Sequence, residues 1–280
     1  MSEKGKNDTA AAGSKEGVDF FNRIALPKVG SPERISAERA LVRKLDMRLL
    51  PTIFVIFIMN YIDRNGVTTA RLKGLQKDLH LSDVQYQTVI AILFVSYCPA
   101  QIPSNMIINK VNRPSLYIGV CTCLWGLTSL LTGITKNFAG IVACRIFIGL
   151  PESVFYPGAI YVLSRWYTKK ELAFRSAFLY VGLLISNAFG TLLAAGILAN
   201  MEGKRGIRAW RWYQISAFGP SQTKSFHKGA LTICVGLISM WSLPDYPHNT
   251  RWMSSLECKL AQVRLSEDVG EADMDNGTDS

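Results

Sequence analysis

An all-α integral membrane bundle is the fold class this sequence predicts, on three observations. Apolar runs recur at about residues 49–70, 86–108, 115–134, 138–163 and 173–199, each near the ~20 residues that a bilayer core demands of a helix. A sixth run, 229–243, has only 15 residues and is marginal for a span. Basic residues collect in the links between runs, and two polar segments, 1–48 and 244–280, flank the apolar region 49–243. Within the fourth run stand Arg145 and Glu152, whose insertion costs roughly 2.5–3.5 kcal/mol each at a helix centre, so they are expected to face a cavity or a partner.

The mean hydropathy of +0.16 is modest only because the ends are polar. A net charge of +10 and a pI near 9.4 raise the question of nucleic acid. A phosphate-reading surface clusters its cations on one soluble face, whereas here they are scattered among the links, so no nucleic acid is expected and the lipid bilayer is the partner. The six cysteines call for no disulfide framework in a cytosolic or membrane setting. Cys121 and Cys123 are two apart on a helix and point about 200° from each other, which suits small packing residues rather than a metal pair. No metal or cofactor is called for, and no nucleophile–base spacing argues for an enzyme.

Residues 1–30 mix Gly, Ser, Ala, Lys and Glu without periodicity and read as a disordered tail. Ser31 to Met47 is helix-favouring and basic towards its end, an amphipathic lead-in at the membrane surface. The first span starts near Leu49, with Pro51 at its head where a missing N–H costs little. It carries Asn60, Asp63 and Arg64 in its second half; either they lie at membrane depth facing the bundle, or the helix ends at Ile62 and they are wet.

Ser82 offers an N-cap for the second span, whose Tyr97, Pro99, Gln101, Pro103 and Asn105 place it deep in the bundle. The turn 109–114 is short and forces antiparallel neighbours. The third span, with Trp125, reads as lipid-facing filler. In the fourth, Arg145 and Glu152 are seven apart, close to two turns, and share a face roughly 10 Å apart along the axis. Pro151 and Pro157 free backbone carbonyls beside them. Gly182, Ser186, Gly190 and Ala194 put a small-residue stripe on the fifth span for close helix contact, with Asn187 at its border. Met201 to Lys228 is polar and basic, and Pro244 to Pro247 reads as a surface-like segment leading to an acidic tail.

Several stretches together resemble one family: Arg43 to Pro51, Asn60 to Asn65, Ile102 to Asn105, Cys144 to Gly149, Glu152 with Tyr156 to Gly158, Trp166-Tyr167 followed by Glu171 and Arg175, and Pro244 to Pro247. In that order they resemble the N-terminal six-helix half of the major facilitator superfamily, and within it the fungal allantoate permease-like anion:cation symporters. The resemblance implies a six-helix bundle, half of the twelve-helix fold, and a multi-pass transporter of the plasma membrane that moves a small organic anion with protons by alternating access. It places Asp63, Arg64, Arg145 and Glu152 on the central cavity. Arg64 or Arg145 then holds a substrate carboxylate through a bidentate fork, and Asp63 or Glu152 exchanges a proton as its arginine partner switches to substrate. Asn60, Tyr156 and Asn187 are further candidate substrate contacts.

Two features depart from that family. Relatives have twelve spans with the substrate between halves, and Tyr213 to Lys228 stands where relatives enter the sixth helix, as a retained intron would. A truncated form is therefore expected, acting as a homodimer or binding a full-length relative without transporting. The family's orientation puts the N-terminus inside, although Lys204, Arg205, Arg208 and Arg211 then lie outside.

Overall fold

The computed structural model describes residues 25–71, 74–200, 228–247, 250 and 252–277. Among them every regular element is a helix: α1 Pro32–Arg71, α2 Leu75–Asp78, α3 Asp83–Lys110, α4 Pro114–Thr132, α5 Phe138–Glu152, α6 Phe155–Ser164, α7 Lys169–Asn200, α8 Lys228–Ser242 and α9 Ser255–Gly277. Five stretches are long and apolar enough to cross a membrane: Pro32–Thr68, Asp83–Lys110, Pro114–Thr132, Phe138–Ser164 and Lys169–Gly190. The polar segment 201–227 and the tail 1–24 lie outside the described residues.

The lead-in and the first span are one helix. Ser31 Oγ accepts from Arg34 N at 3.2 Å, and Pro32 and Glu33 open the first turn, so the cap lies well before Leu49. Pro51 is consequently inside α1 rather than at its head. The helix also continues past Ile62, which puts Asn60, Asp63 and Arg64 at helical positions within the bundle. Ser82 caps α3 as expected, in a reciprocal box with Gln85. The fourth run breaks at Ser153–Val154 into α5 and α6, because Pro151 and Pro157 cannot donate to the carbonyls one turn behind them.

Two expectations about burial are corrected. α4 is not lipid-facing filler: 50% of its apolar window is buried, against 11% for α3. The reason is small residues. A Cβ at Gly236 would stand 2.6 Å from Cys123 Sγ, and one at Gly126 would stand 3.0 Å from Gly229 O, so α8 lies on α4 backbone to backbone. α3, expected deep in the bundle, is the most exposed span, and its polar groups Gln101 and Asn105 face an open side. The first half of the predicted stripe on α7, Gly182 and Ser186, makes close contact, Gly190 has its nearest neighbour 3.8 Å from an added Cβ, and the side chain of Ala194 lies outside the described residues. A Cβ at Gly182 would meet Phe54 at 2.9 Å, and Ser186 Oγ donates to Ile58 O at 3.1 Å.

The end of the bundle that carries Pro32 is closed by polar contacts. Arg175 forks onto Asp46, Nε to Oδ1 at 2.8 Å and Nη2 to Oδ2 at 2.7 Å, while the Tyr167 hydroxyl donates to Asp46 Oδ1 at 2.8 Å. The Pro244 to Pro247 segment is not surface-like. Asp245 is buried at the head of α4, where Ser115 Oγ donates to it at 2.6 Å and Ser115 N at 3.3 Å, a favourable charge for a helix N-terminus. The C-terminal segment read as a tail forms α9 and ties back by ion pairs, Arg34 with Glu267, Lys44 with Glu257 and Arg264 with Glu171.

Candidate substrate and proton site

Residues Asp63 and Arg64 are adjacent on α1, so their side chains leave the helix about 100° apart. They therefore serve different neighbours. Asp63 turns into the α4 and α8 side, buried, and accepts from Trp125 Nε1 at 3.2 Å, Ser129 Oγ at 3.1 Å and Thr232 Oγ1 at 3.3 Å. Three neutral donors from two helices stabilise a carboxylate at this depth. Trp125, Ser129 and Thr232 were not singled out from the sequence as site residues. The clue was present in a lone tryptophan and a serine one turn apart on a span otherwise rich in Leu, Gly and Cys.

Arg64 turns to α5. Its Nε donates to Glu152 Oε1 at 2.9 Å, and Nη2 stands 2.7 Å from the same oxygen, off the axis of a hydrogen bond. The guanidinium is stacked by aromatic rings, 4.5 Å from the Tyr97 centroid and 5.6 Å from those of Tyr61 and Phe94. These rings extend the site beyond the predicted set, and their signal was their interleaving with polar residues on the first two spans.

Glu152 and Arg145 are both almost wholly buried, 2% and 3% exposed. Glu152 Oε2 and Arg145 Nε have no hydrogen-bond partner. Arg145 lies within electrostatic reach of both Glu152 and Asp63, so two carboxyls and two guanidinia from α1 and α5 form one buried charge cluster. Such a cluster, half paired and half open, is costly to assemble and is the arrangement expected of a site that exchanges partners.

The remaining predicted residues are spread around this cluster. Tyr156 shares a hydrogen bond with the Tyr180 hydroxyl at 2.8 Å and lines a groove of about 880 Å³ with Gln101, Asn105 and Lys169. Asn187 is exposed on α7 and accepts from Asn65 Nδ2 at 2.8 Å, next to Arg64 in sequence. Asn60 is buried on α1, one turn before Arg64. No group of three or more His, Cys, Asp or Glu that could hold a metal occurs among the described residues.

Five helices long and apolar enough to cross a membrane, a charge cluster built between them and an open polar groove beside it define a helical membrane bundle. Residues 53–220 match the Major Facilitator Superfamily, and the chain belongs to that family. It is 34% identical over 236 residues to the MFS-type transporter cnsO of Penicillium expansum, covering 82% of this chain and 43% of the relative. It is 32% identical over 242 residues to the MFS transporter prlL of a fungal species, covering 83% and 46%. The Major facilitator-type transporter hxnP of Emericella nidulans is 26% identical over 258 residues, covering 87% and 50%. The chain thus spans about half the length of the curated relatives it matches. Among solved structures, it superposes on a bacterial homologue of the human lysosomal transporter Spinster, inward-facing and occupied, with TM-score 0.58 at 20% identity over 70% of this chain and 44% of that one. That likeness shows a shared helical fold over the part superposed.

Proposed function

We propose that this chain supplies the N-terminal, charge-bearing half of a proton-coupled symporter for a small organic anion, a carboxylate of the nicotinate or allantoate kind. The observation that carries the reading is the Arg64–Glu152 pair, with Glu152 Oε2 open and a second arginine, Arg145, unpaired at Nε beside it. In water such a pair would be trivial; at membrane depth each charge needs the other.

The exchange follows from electrostatics. A proton taken up at Glu152 Oε2 removes most of the attraction that holds Arg64, and the fork of N–H donors becomes available to a substrate carboxylate. Departure of that carboxylate returns Arg64 to Glu152, which then sheds its proton. Asp63 was expected to share the proton role. Its three donors occupy it on the α4 and α8 side, whereas Glu152 keeps an oxygen with no hydrogen-bond partner, so Glu152 is proposed as the exchanging group. Residues Tyr156, Asn60 and Asn187 are proposed to contact the rest of the substrate. Sequence resemblance to the allantoate permease-like branch supports the anionic substrate, proton coupling and the plasma membrane as location.

Uptake of radiolabelled nicotinate and allantoate at acidic pH, by yeast expressing the 280-residue chain with surface labelling in parallel, tests the reading. Uptake above vector, alone or after co-expression of a second half-bundle from a relative, is the expected result. Surface-expressed protein that accumulates no organic anion in either setting would overturn it.

A second reading is favoured by the open side of α3 and α7, where Val95, Ile102, Phe178, Val181 and Leu184 are exposed. Such a face would let a non-transporting form associate with a second copy or a full-length relative. Co-purification with that relative, without uptake, would select this reading.

A further inference from the structure

A second polar cavity lies at the Pro32 end of the bundle, away from the charge cluster. It encloses about 600 Å³ between the α3–α4 turn, the end of α6 and α9. Its wall carries two exposed cations, Lys110 and Arg165, and the side-chain amides of Asn109, Asn112 and Gln262; the Tyr246 hydroxyl donates to Ile108 O at 3.2 Å, and no acidic residue is among its lining. Two acids close in sequence to lining residues, Asp245 before Tyr246 and Asp268 after Leu265, are engaged elsewhere. Asp245 accepts from Ser115, and Asp268 accepts from Lys169 N at 3.0 Å.

From these observations we infer that this pocket binds a phosphate monoester, of the kind carried on the headgroup of an anionic membrane lipid. Two cations match the roughly two negative charges of a phosphate monoester near neutral pH, and side-chain amides suit its remaining oxygens. Arg165 is already oriented: its Nε and Nη2 contact the Tyr161 hydroxyl at 3.3 and 3.1 Å, and it stacks 5.2 Å from the Tyr161 ring and 5.8 Å from that of Tyr246. The two rings meet edge to face at 6.4 Å, with their hydroxyls 3.2 Å apart. A guanidinium held in this way loses little freedom when an anion arrives. The volume exceeds what a bare phosphate fills and leaves room for the sugar or polyol that bears it.

Position favours lipid as the source. The pocket opens where α3 ends at Lys110 and α4 begins at Pro114, where the exposed cations Lys110, Arg113 and Arg165 gather at the ends of apolar spans, the level at which basic residues meet headgroups. Basic pockets between spans at such a level are suited to phosphorylated headgroups. Occupancy would bridge α9 to the α3–α4 turn, since Gln262 and Asn112 lie on opposite walls.

The test uses the purified 280-residue chain in phosphatidylcholine nanodiscs doped with phosphatidylinositol phosphate, and reads retained lipid by native mass spectrometry. Retention is expected in the parent and is expected to fall about fivefold per cation removed in Lys110→Gln and Arg165→Gln. Lys170→Gln, an exposed cation on the same rim outside the pocket, is expected to leave it unchanged. Soluble inositol phosphate should displace the lipid: displacement only at large excess identifies the lipid as the source, and displacement at equal concentration identifies a free phosphate ester. Retention unchanged in the double variant, or an equal loss in Lys170→Gln, would overturn the inference. Failure of inositol phosphate to displace the lipid from the parent chain would also overturn it, and that arm does not depend on any variant folding.

Discussion

Arg64 of α1 and Glu152 of α5 meet across 88 positions of sequence, through one carboxylate oxygen only. The second oxygen of Glu152 is buried and unbonded, and Arg145 is left with an unbonded Nε seven positions earlier on the same helix. An ion pair built only for stability would bring both oxygens to the fork. The half-made geometry leaves capacity for a proton and for a second anion in one place.

In a transport-competent form containing the second half, Glu152→Gln is expected to abolish proton-driven accumulation while leaving surface expression intact. Gln keeps an acceptor for Arg64 but cannot carry a titrating proton. Uphill uptake measured with and without a protonophore checks this; accumulation equal to the parent would remove Glu152 from the proton path.

Asp63 depends on donors from two other helices. Trp125→Phe removes the indole N–H while keeping an aromatic ring, and is expected to cost about 1–3 kcal/mol as a bond to a buried charged group. Thermal unfolding of the purified chain in detergent would show it as a lower midpoint, and Thr232→Val should move in the same direction.

The α4–α8 contact has no room for side chains. Gly236→Val would drive a branched Cβ towards Cys123 and is expected to destabilise by roughly 1–3 kcal/mol. Gly190→Ala on α7 is the matched control, because its nearest neighbour, Ile62 Cγ1, is 3.8 Å away. Size-exclusion profiles after heating would separate the two, and equal behaviour would refute tight α4–α8 packing.

Attachment of α9 should depend on acid. Partial burial pushes the Glu257 carboxyl up, but Lys44, donating to both oxygens at 2.9 Å, and Ser254 N at 2.8 Å outweigh it and hold the group below its ordinary 4.5. A depressed folded-state value means the contribution is present above the unfolded value and is lost as pH falls through the folded one. Protection of α9 against hydrogen exchange is therefore expected to persist at pH 5 and above and to weaken only below about pH 4.5. Lys44→Met should remove this acid dependence.

The charge cluster was legible in the sequence because ionisable residues inside apolar runs are rare enough to mark function. Arg145 and Glu152 were found on that ground, whereas Asp63 and Arg64 were left between membrane depth and a wet loop until the family resemblance placed them on the cavity. The five long apolar runs coincide with five long apolar helices among the described residues, since a bilayer fixes how long an apolar run must be. The sequence could not rank the spans by burial. Gly, Cys and Ser in α4 look like lipid-facing filler, yet they are what lets α8 approach, and proline and asparagine in α3 look buried, yet they face the open side.

What the sequence determined by itself, then, was local: helix identity, the caps at Ser82 and the small-residue stripe on α7, each decided by neighbours within a turn or two. The tertiary structure decided which way each side chain points. Asp63 and Arg64 are consecutive, but a 100° step sends one to Trp125 and Ser129 and the other to Glu152, and only the placement of α4, α5 and α8 gives that step its meaning. The same holds for Asp245 and α9: polar and tail-like in sequence, they are held because Ser115, Lys44 and Arg34 stand at the same end of the bundle to receive them.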